Sequence, residues 1–133
     1  DSRLLKKQLV TPTKKKLTPN QLSTGLFAWK VVKHTKSNAI VVAKNNKIIS
    51  ISGGQTSRVD ATKIAFEKTK IPKGCVVASD AFFPFKDSIE KMAQYKIAAI
   101  IQPGGSIRDR EVVESCNKNK IAMAFTGFRV FKH

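Results

Sequence analysis

The chain has 133 residues, 41% of them hydrophobic, which suits one domain around one modest core and is too apolar for a disordered chain. No apolar run is long enough to span a bilayer, and the first residues do not form a signal peptide. The net charge of +16 would suit a polyanion, but 20 of the 25 basic residues are Lys spread along the whole chain, a usage that an AT-biased genome produces, so a basic nucleic-acid-binding α/β module is only the alternative function.

Residues 1–17 are polar and Lys-rich and read as an extended arm or connector, with Val10 and Leu17 available to pin it; residues 18–133 form the folded unit. A chain that opens this way, without Met, reads as a piece of a longer protein. Thr18-Pro19-Asn20-Gln21 predicts a helix start, with Thr18 as N-cap, Pro19 at the first helical position and Gln21 closing a capping box. Leu22, Leu26, Trp29 and Val32 recur at helical spacing to about His34, with Gly25 as a weak point. Residues 38–43 and 48–52 predict a hairpin turned by Asn45-Asn46, since Asn tolerates positive φ. Gly53-Gly54 then leads to Ser57, an N-cap that opens a helix through Lys68. Backbone N–H groups and the forked cation of Arg58 at such a start attract anions.

Residues 74–78 predict a buried strand, followed by Phe82, Phe83 and Phe85 between Asp80 and Asp87 and by a helix to about Tyr95. Any one Phe would serve as core, but three bracketed by carboxylates at a strand-to-helix crossover suit a flat heterocycle with N–H groups to donate. A strand at 97–101, the Gln102-Pro103-Gly104-Gly105-Ser106 loop, a helix from about Ile107 to Asn119 and a last strand at 121–125 complete the order. Strands alternating with helices predict an α/β fold with a mostly parallel sheet, made mixed by its opening hairpin. Loops 53–58, 79–87 and 102–107 then converge at the strands' carboxyl ends as a ligand site. Cys75 and Cys116 give neither a zinc-ligand spacing nor a disulfide framework, which fits a reducing compartment and argues against a zinc hydrolase of the deaminase class.

Five segments carry a resemblance: Ser37-Asn38-Ala39-Ile40, Gly54-Gln55-Thr56-Ser57-Arg58-Val59, the run from Ser79 to Asp87, Gln102-Pro103-Gly104-Gly105-Ser106, and Phe125-Thr126-Gly127-Phe128-Arg129-Val130-Phe131-Lys132-His133. In order and together they resemble the C-terminal part of AICAR transformylase, the formyl-transfer half of the purine-biosynthesis bienzyme that also carries IMP cyclohydrolase. The resemblance implies a three-layer cytidine-deaminase-like α/β unit. It implies transfer of a formyl group from 10-formyltetrahydrofolate to AICAR, giving FAICAR, by a cytoplasmic homodimer with sites across its interface, and no metal.

By the same resemblance, Asn38, Arg58, Arg129 and Phe131 would meet AICAR, with Asn38 orienting it and the two Arg holding its ribonucleotide part. Val59, Phe82, Asp87, Ser106 and Ile107 would meet the folate. The family's catalytic Lys-His pair belongs to a motif this chain lacks, so no catalytic residue is expected here, the remainder of the enzyme is an expected partner, and residues 1–133 alone are expected to be inactive. Lys33-His34 is adjacent too, but closes a helix, where cations complement the terminal carbonyls.

Overall fold

The computed structural model of the chain describes residues 9–83 and 86–127. Its elements follow the predicted order: α1 (Pro19–Lys33), β1 (Ile40–Lys44), β2 (Lys47–Ser52), α2 (Arg58–Glu67), β3 (Val76–Ser79), α3 (Lys86–Ala93), β4 (Ala99–Gln102), α4 (Asp109–Lys118) and β5 (Ala122–Phe125). The strands form one sheet in the order β2-β1-β3-β4-β5. β1 is antiparallel to both β2 and β3, whereas β3–β4 and β4–β5 are parallel. Four strands therefore point one way and β1 alone opposes them, which makes the sheet mixed and mostly parallel.

Every crossover after the hairpin moves in the same direction along the sheet. A common hand then places α2, α3 and α4 on one face. Ile40 and Val42 of β1 pack there with Ala61, Phe66, Ile89, Met92, Val112 and Cys116. Val41 and Ala43, the alternate positions, join Leu26, Trp29 and Val32 of α1 on the other face, as the two-residue period of a strand requires. The result is a three-layer α/β unit with one helix below the sheet and three above.

Local chemistry explains the elements. Thr18 Oγ1 accepts from Gln21 N–H at 3.1 Å and Gln21 Oε1 accepts from Thr18 N–H at 3.0 Å, so the capping box is closed. Asn45 and Asn46 take φ of 50° and 60° in a two-residue hairpin turn, the left-handed pair such turns need. Gly25 is more than a weak point: a Cβ there would overlap the side chain of Ile101, so glycine is what lets α1 lie close on β4.

Some predicted boundaries shift. β3 begins at Val76 and not at 74, because Gly74, at φ 87°, still belongs to the turn and donates to Lys96 O at 2.8 Å. β4 starts at Ala99, two residues later than expected, and α4 starts at Asp109, leaving Ser106 and Ile107 in the preceding loop. α3 ends at Ala93, short of Tyr95; Lys96, at φ 56°, closes the turn by donating to Ala93 O.

The arm is pinned to β5. Val10 and Phe125 exchange backbone hydrogen bonds of 3.0 and 2.7 Å, and the buried Thr13 Oγ1 accepts from Met123 N–H at 2.9 Å. Residues 9–17 thereby cover the β5 edge, whose unpaired backbone would otherwise be exposed.

Candidate functional site

The carboxyl ends of β2, β3, β4 and β5 and the amino end of the opposed β1 share one edge of the sheet. Ile40 pairs with both Ser52 and Ser79, so segment 37–39 enters between the loops that follow β2 and β3. The expected convergence is seen for the described residues 53–58, 79–83 and 102–107, with a fourth segment added.

At the centre lies a buried ion pair. Arg58 Nη2 stands 2.7 Å from Asp80 Oδ1, with side chains only 6% and 4% exposed. Arg58 Nη1 donates to Ala39 O and Nη2 to Asn38 Oδ1, each at 2.9 Å. The Asp80 carboxylate also accepts from Ala39 N–H at 3.2 Å and from the Ser37 hydroxyl. Asn38 Nδ2 donates to Gln55 O at 3.0 Å, and its backbone N–H donates to the same oxygen. Burial lowers the Arg58 pKa below its ordinary value, and Asp80 opposes that shift.

This arrangement corrects two expectations. Arg58 does not project from the start of α2 toward a free anion; its terminal nitrogens turn inward to Asp80, Asn38 and Ala39. The α2 start is instead closed by Ser57 Oγ, which accepts from Asp60 N–H, and by Asp60, which accepts from the Thr56 hydroxyl at 3.1 Å. Nor is Asp80 a free acceptor beside the aromatics, since both its oxygens are engaged within the protein.

The aromatic wall divides. Phe83 is fully buried, while Phe82 is 41% exposed; Pro84 and Phe85 lie outside the described residues. Gln102, fully buried, accepts from Phe83 N–H through Oε1 at 3.1 Å and donates from Nε2 to Met123 Sδ at 3.2 Å. It ties the 80–83 loop to the end of β4, immediately before the Gly104-Gly105 loop. In that loop Asp109 caps Gly105 N–H at 2.7 Å and Ser106 N–H at 3.2 Å, and Ile107 is 99% exposed.

The structure brings Asn38 and Arg58 into direct contact. It places Val59, 49% exposed, and Asp87, in the first turn of α3, on one groove of about 700 Å³ between α2 and α3, lined also by Phe66 and Tyr95, whose rings meet at a tilt of 42°. Phe82, Ser106 and Ile107 stand on the two adjacent loops that Gln102 joins. Arg129 and Phe131 lie outside the described residues. Sequence reasoning missed Gln102 and the inward role of Asp80; the only signal for either was a polar residue ending a buried apolar strand. Among the described residues no three His, Cys, Asp or Glu side chains gather as a metal site would require, and no helix is long and apolar enough to cross a membrane.

The fold and site thus define an α/β unit whose loops converge at the strands' carboxyl ends around a buried polar network. The family model of the AICARFT/IMPCHase bienzyme matches residues 1–68, and the chain belongs to that family. It is 55% identical to the bifunctional purine biosynthesis protein PurH of Aquifex aeolicus, over 98% of this chain and 26% of that protein. The same-named protein of Caldicellulosiruptor bescii is 52% identical over 100% of this chain and 26% of its own length. That of Petrotoga mobilis is 60% identical over 81% and 21%. The chain therefore spans about a quarter of the length of these relatives, and its family is one of purine biosynthesis.

Proposed function

We propose that the chain is the C-terminal part of the AICAR transformylase half of such a bienzyme, built as a cytidine-deaminase-like unit. In this reading it helps move a formyl group from 10-formyltetrahydrofolate to the 5-amino group of AICAR. The FAICAR formed is closed to IMP by the cyclohydrolase half.

One observation carries the reading. Five large hydrophobic side chains are exposed among the described residues: Val10, Val59, Ile64, Phe82 and Ile107. Three of them, Val59, Phe82 and Ile107, are residues that the family resemblance assigns to the folate, and they sit at or beside the edge where the loops converge. Exposed apolar groups gathered beside convergent polar ones fit a flat, partly apolar ligand.

The polar network supports the nucleotide side. Arg58 and Gln55 O hold the two ends of the Asn38 amide. Each end keeps capacity for one more hydrogen bond, an acceptor lone pair on Oδ1 and a hydrogen on Nδ2, which suits the carboxamide and amine of AICAR. The amine is a weak nucleophile, so positioning and proton removal must supply most of the rate. This chain contributes positioning: Asn38, Arg58, Arg129 and Phe131 for AICAR, and Val59, Phe82, Asp87, Ser106 and Ile107 for the folate. The catalytic Lys-His pair comes from the remainder of the enzyme, a cytoplasmic homodimer in which the sites form across the interface and the transfer uses no metal.

The test is Phe82→Ala and Ile107→Ala in a complete bienzyme carrying this chain, with the two activities assayed separately. The reading predicts a raised KM for 10-formyltetrahydrofolate and unchanged cyclohydrolase turnover. Loss of cyclohydrolase activity with formyl transfer intact would assign the chain to the other half.

A further inference from the structure

We propose that Asp80 is a positioning residue for the nucleotide side of the site, acting through Arg58 and Asn38 without touching substrate. The inference rests on the reading that Asn38 and Arg58 serve AICAR.

One carboxylate at the end of β3 ties together three segments far apart in sequence. Oδ1 receives Arg58 Nη2 at 2.7 Å and Ala39 N–H at 3.2 Å; Oδ2 receives the Ser37 hydroxyl. The same guanidinium passes the constraint on, since Arg58 Nη2 also holds Asn38 Oδ1 at 2.9 Å. Gln55 O fixes the opposite end of the amide. An Asn side chain presents a donor on one side and an acceptor on the other, so its usefulness to a ligand depends on which way it is turned. Asp80, through Arg58, sets that direction.

Stability alone does not account for the arrangement. Replacing a buried ion pair by apolar groups of similar volume is often neutral or stabilising. This pair also leaves Arg58 Nε buried with no hydrogen-bond partner among the described residues, an extra cost. A polar network retained under those terms, with its outward end on a half-buried amide at the loop-bearing edge, fits orientation of a ligand-facing group better than it fits packing.

The experiment uses a complete bienzyme carrying this chain, with steady-state kinetics for each substrate and melting curves for every variant. Asp80→Asn keeps the shape and removes the charge. It is expected to lower kcat/KM for AICAR about 10- to 100-fold, as a misplacement of about 1 Å can, while the KM for the folate stays within about twofold. Arg58→Met with Asp80→Asn should be no worse than Arg58→Met alone, because Asp80 acts through Arg58. Equal losses for both substrates, in proportion to the folded fraction, would overturn the proposal, as would additive losses in the double variant. Ser37→Ala, at an exposed residue, removes one partner of the carboxylate and keeps the test open if Asp80→Asn does not fold. It should give a smaller loss confined to AICAR, and no loss would count against the proposal. Asn38→Ala separates the two levels: if it leaves AICAR use unchanged, the underlying site reading falls and this inference with it. If Asn38→Ala is impaired but Asp80→Asn and Ser37→Ala are not, the positioning role alone is wrong.

Discussion

Gln102 Oε1 accepts the Phe83 backbone N–H at 3.1 Å where both residues are fully buried. One side-chain amide thus fixes the loop after β3 against the end of β4. Gln102→Leu removes the acceptor and strands a buried donor, at a cost of about 1–3 kcal/mol. Urea unfolding of the chain should show that loss, and an unchanged midpoint would mean that the Phe83 N–H finds another partner.

Gly104 and Gly105 both take positive φ, 77° and 99°, but only Gly104 is crowded: a Cβ there would stand 2.9 Å from Phe125 Cγ, whereas Gly105 faces open space. Gly105→Ala should cost about 1–2 kcal/mol from backbone conformation alone. Gly104→Ala should cost more, because the Phe125 ring must also move. Equal melting points for the two variants would contradict the close approach of this loop to β5.

Much of the architecture was legible because it is local. The Thr18 and Ser57 caps, the Asn45-Asn46 turn and the alternation of apolar runs with helical spacing each depend on a few consecutive residues, and the structure reproduces them. The separation of α1 from the other helices follows from strand order, which no short window contains. The same holds for Arg58. Its position at the start of α2 was readable, but its direction depends on β1 lying between β2 and β3 and on Asp80, 22 positions later. Phe82 and Phe83 are indistinguishable as letters; backbone direction at the end of β3 buries one and exposes the other. The docking of the arm on β5 through Thr13 and Val10 is likewise a long-range pairing.

Alkaline pH should destabilise the chain through its cysteines. Burial pushes the Cys116 thiol up to about 12 from an ordinary value of 9.0, and Cys75 moves in the same direction. Above pH 9 the unfolded chain loses a proton that folded Cys116 keeps. The stability from this group is therefore complete below about pH 9 and declines as pH rises toward 12, by about 1.4 kcal/mol per pH unit. Urea midpoints at pH 8 and 10.5 should differ less for Cys116→Ala than for the parent chain. An equal difference would show that this thiol does not stay protonated in the fold.

The most direct test of the central claim, that this edge of the sheet serves formyl transfer, is amide hydrogen exchange on a complete bienzyme carrying this chain. Spectra are compared without ligand, with AICAR, with a 10-formyltetrahydrofolate analogue, and with IMP, the product of the cyclohydrolase half. The account predicts slower exchange at 37–39 and 55–58 with AICAR and at 79–83 and 104–108 with the folate analogue. Protection of these segments by the cyclohydrolase ligand alone, or none with AICAR and the folate analogue, would contradict it.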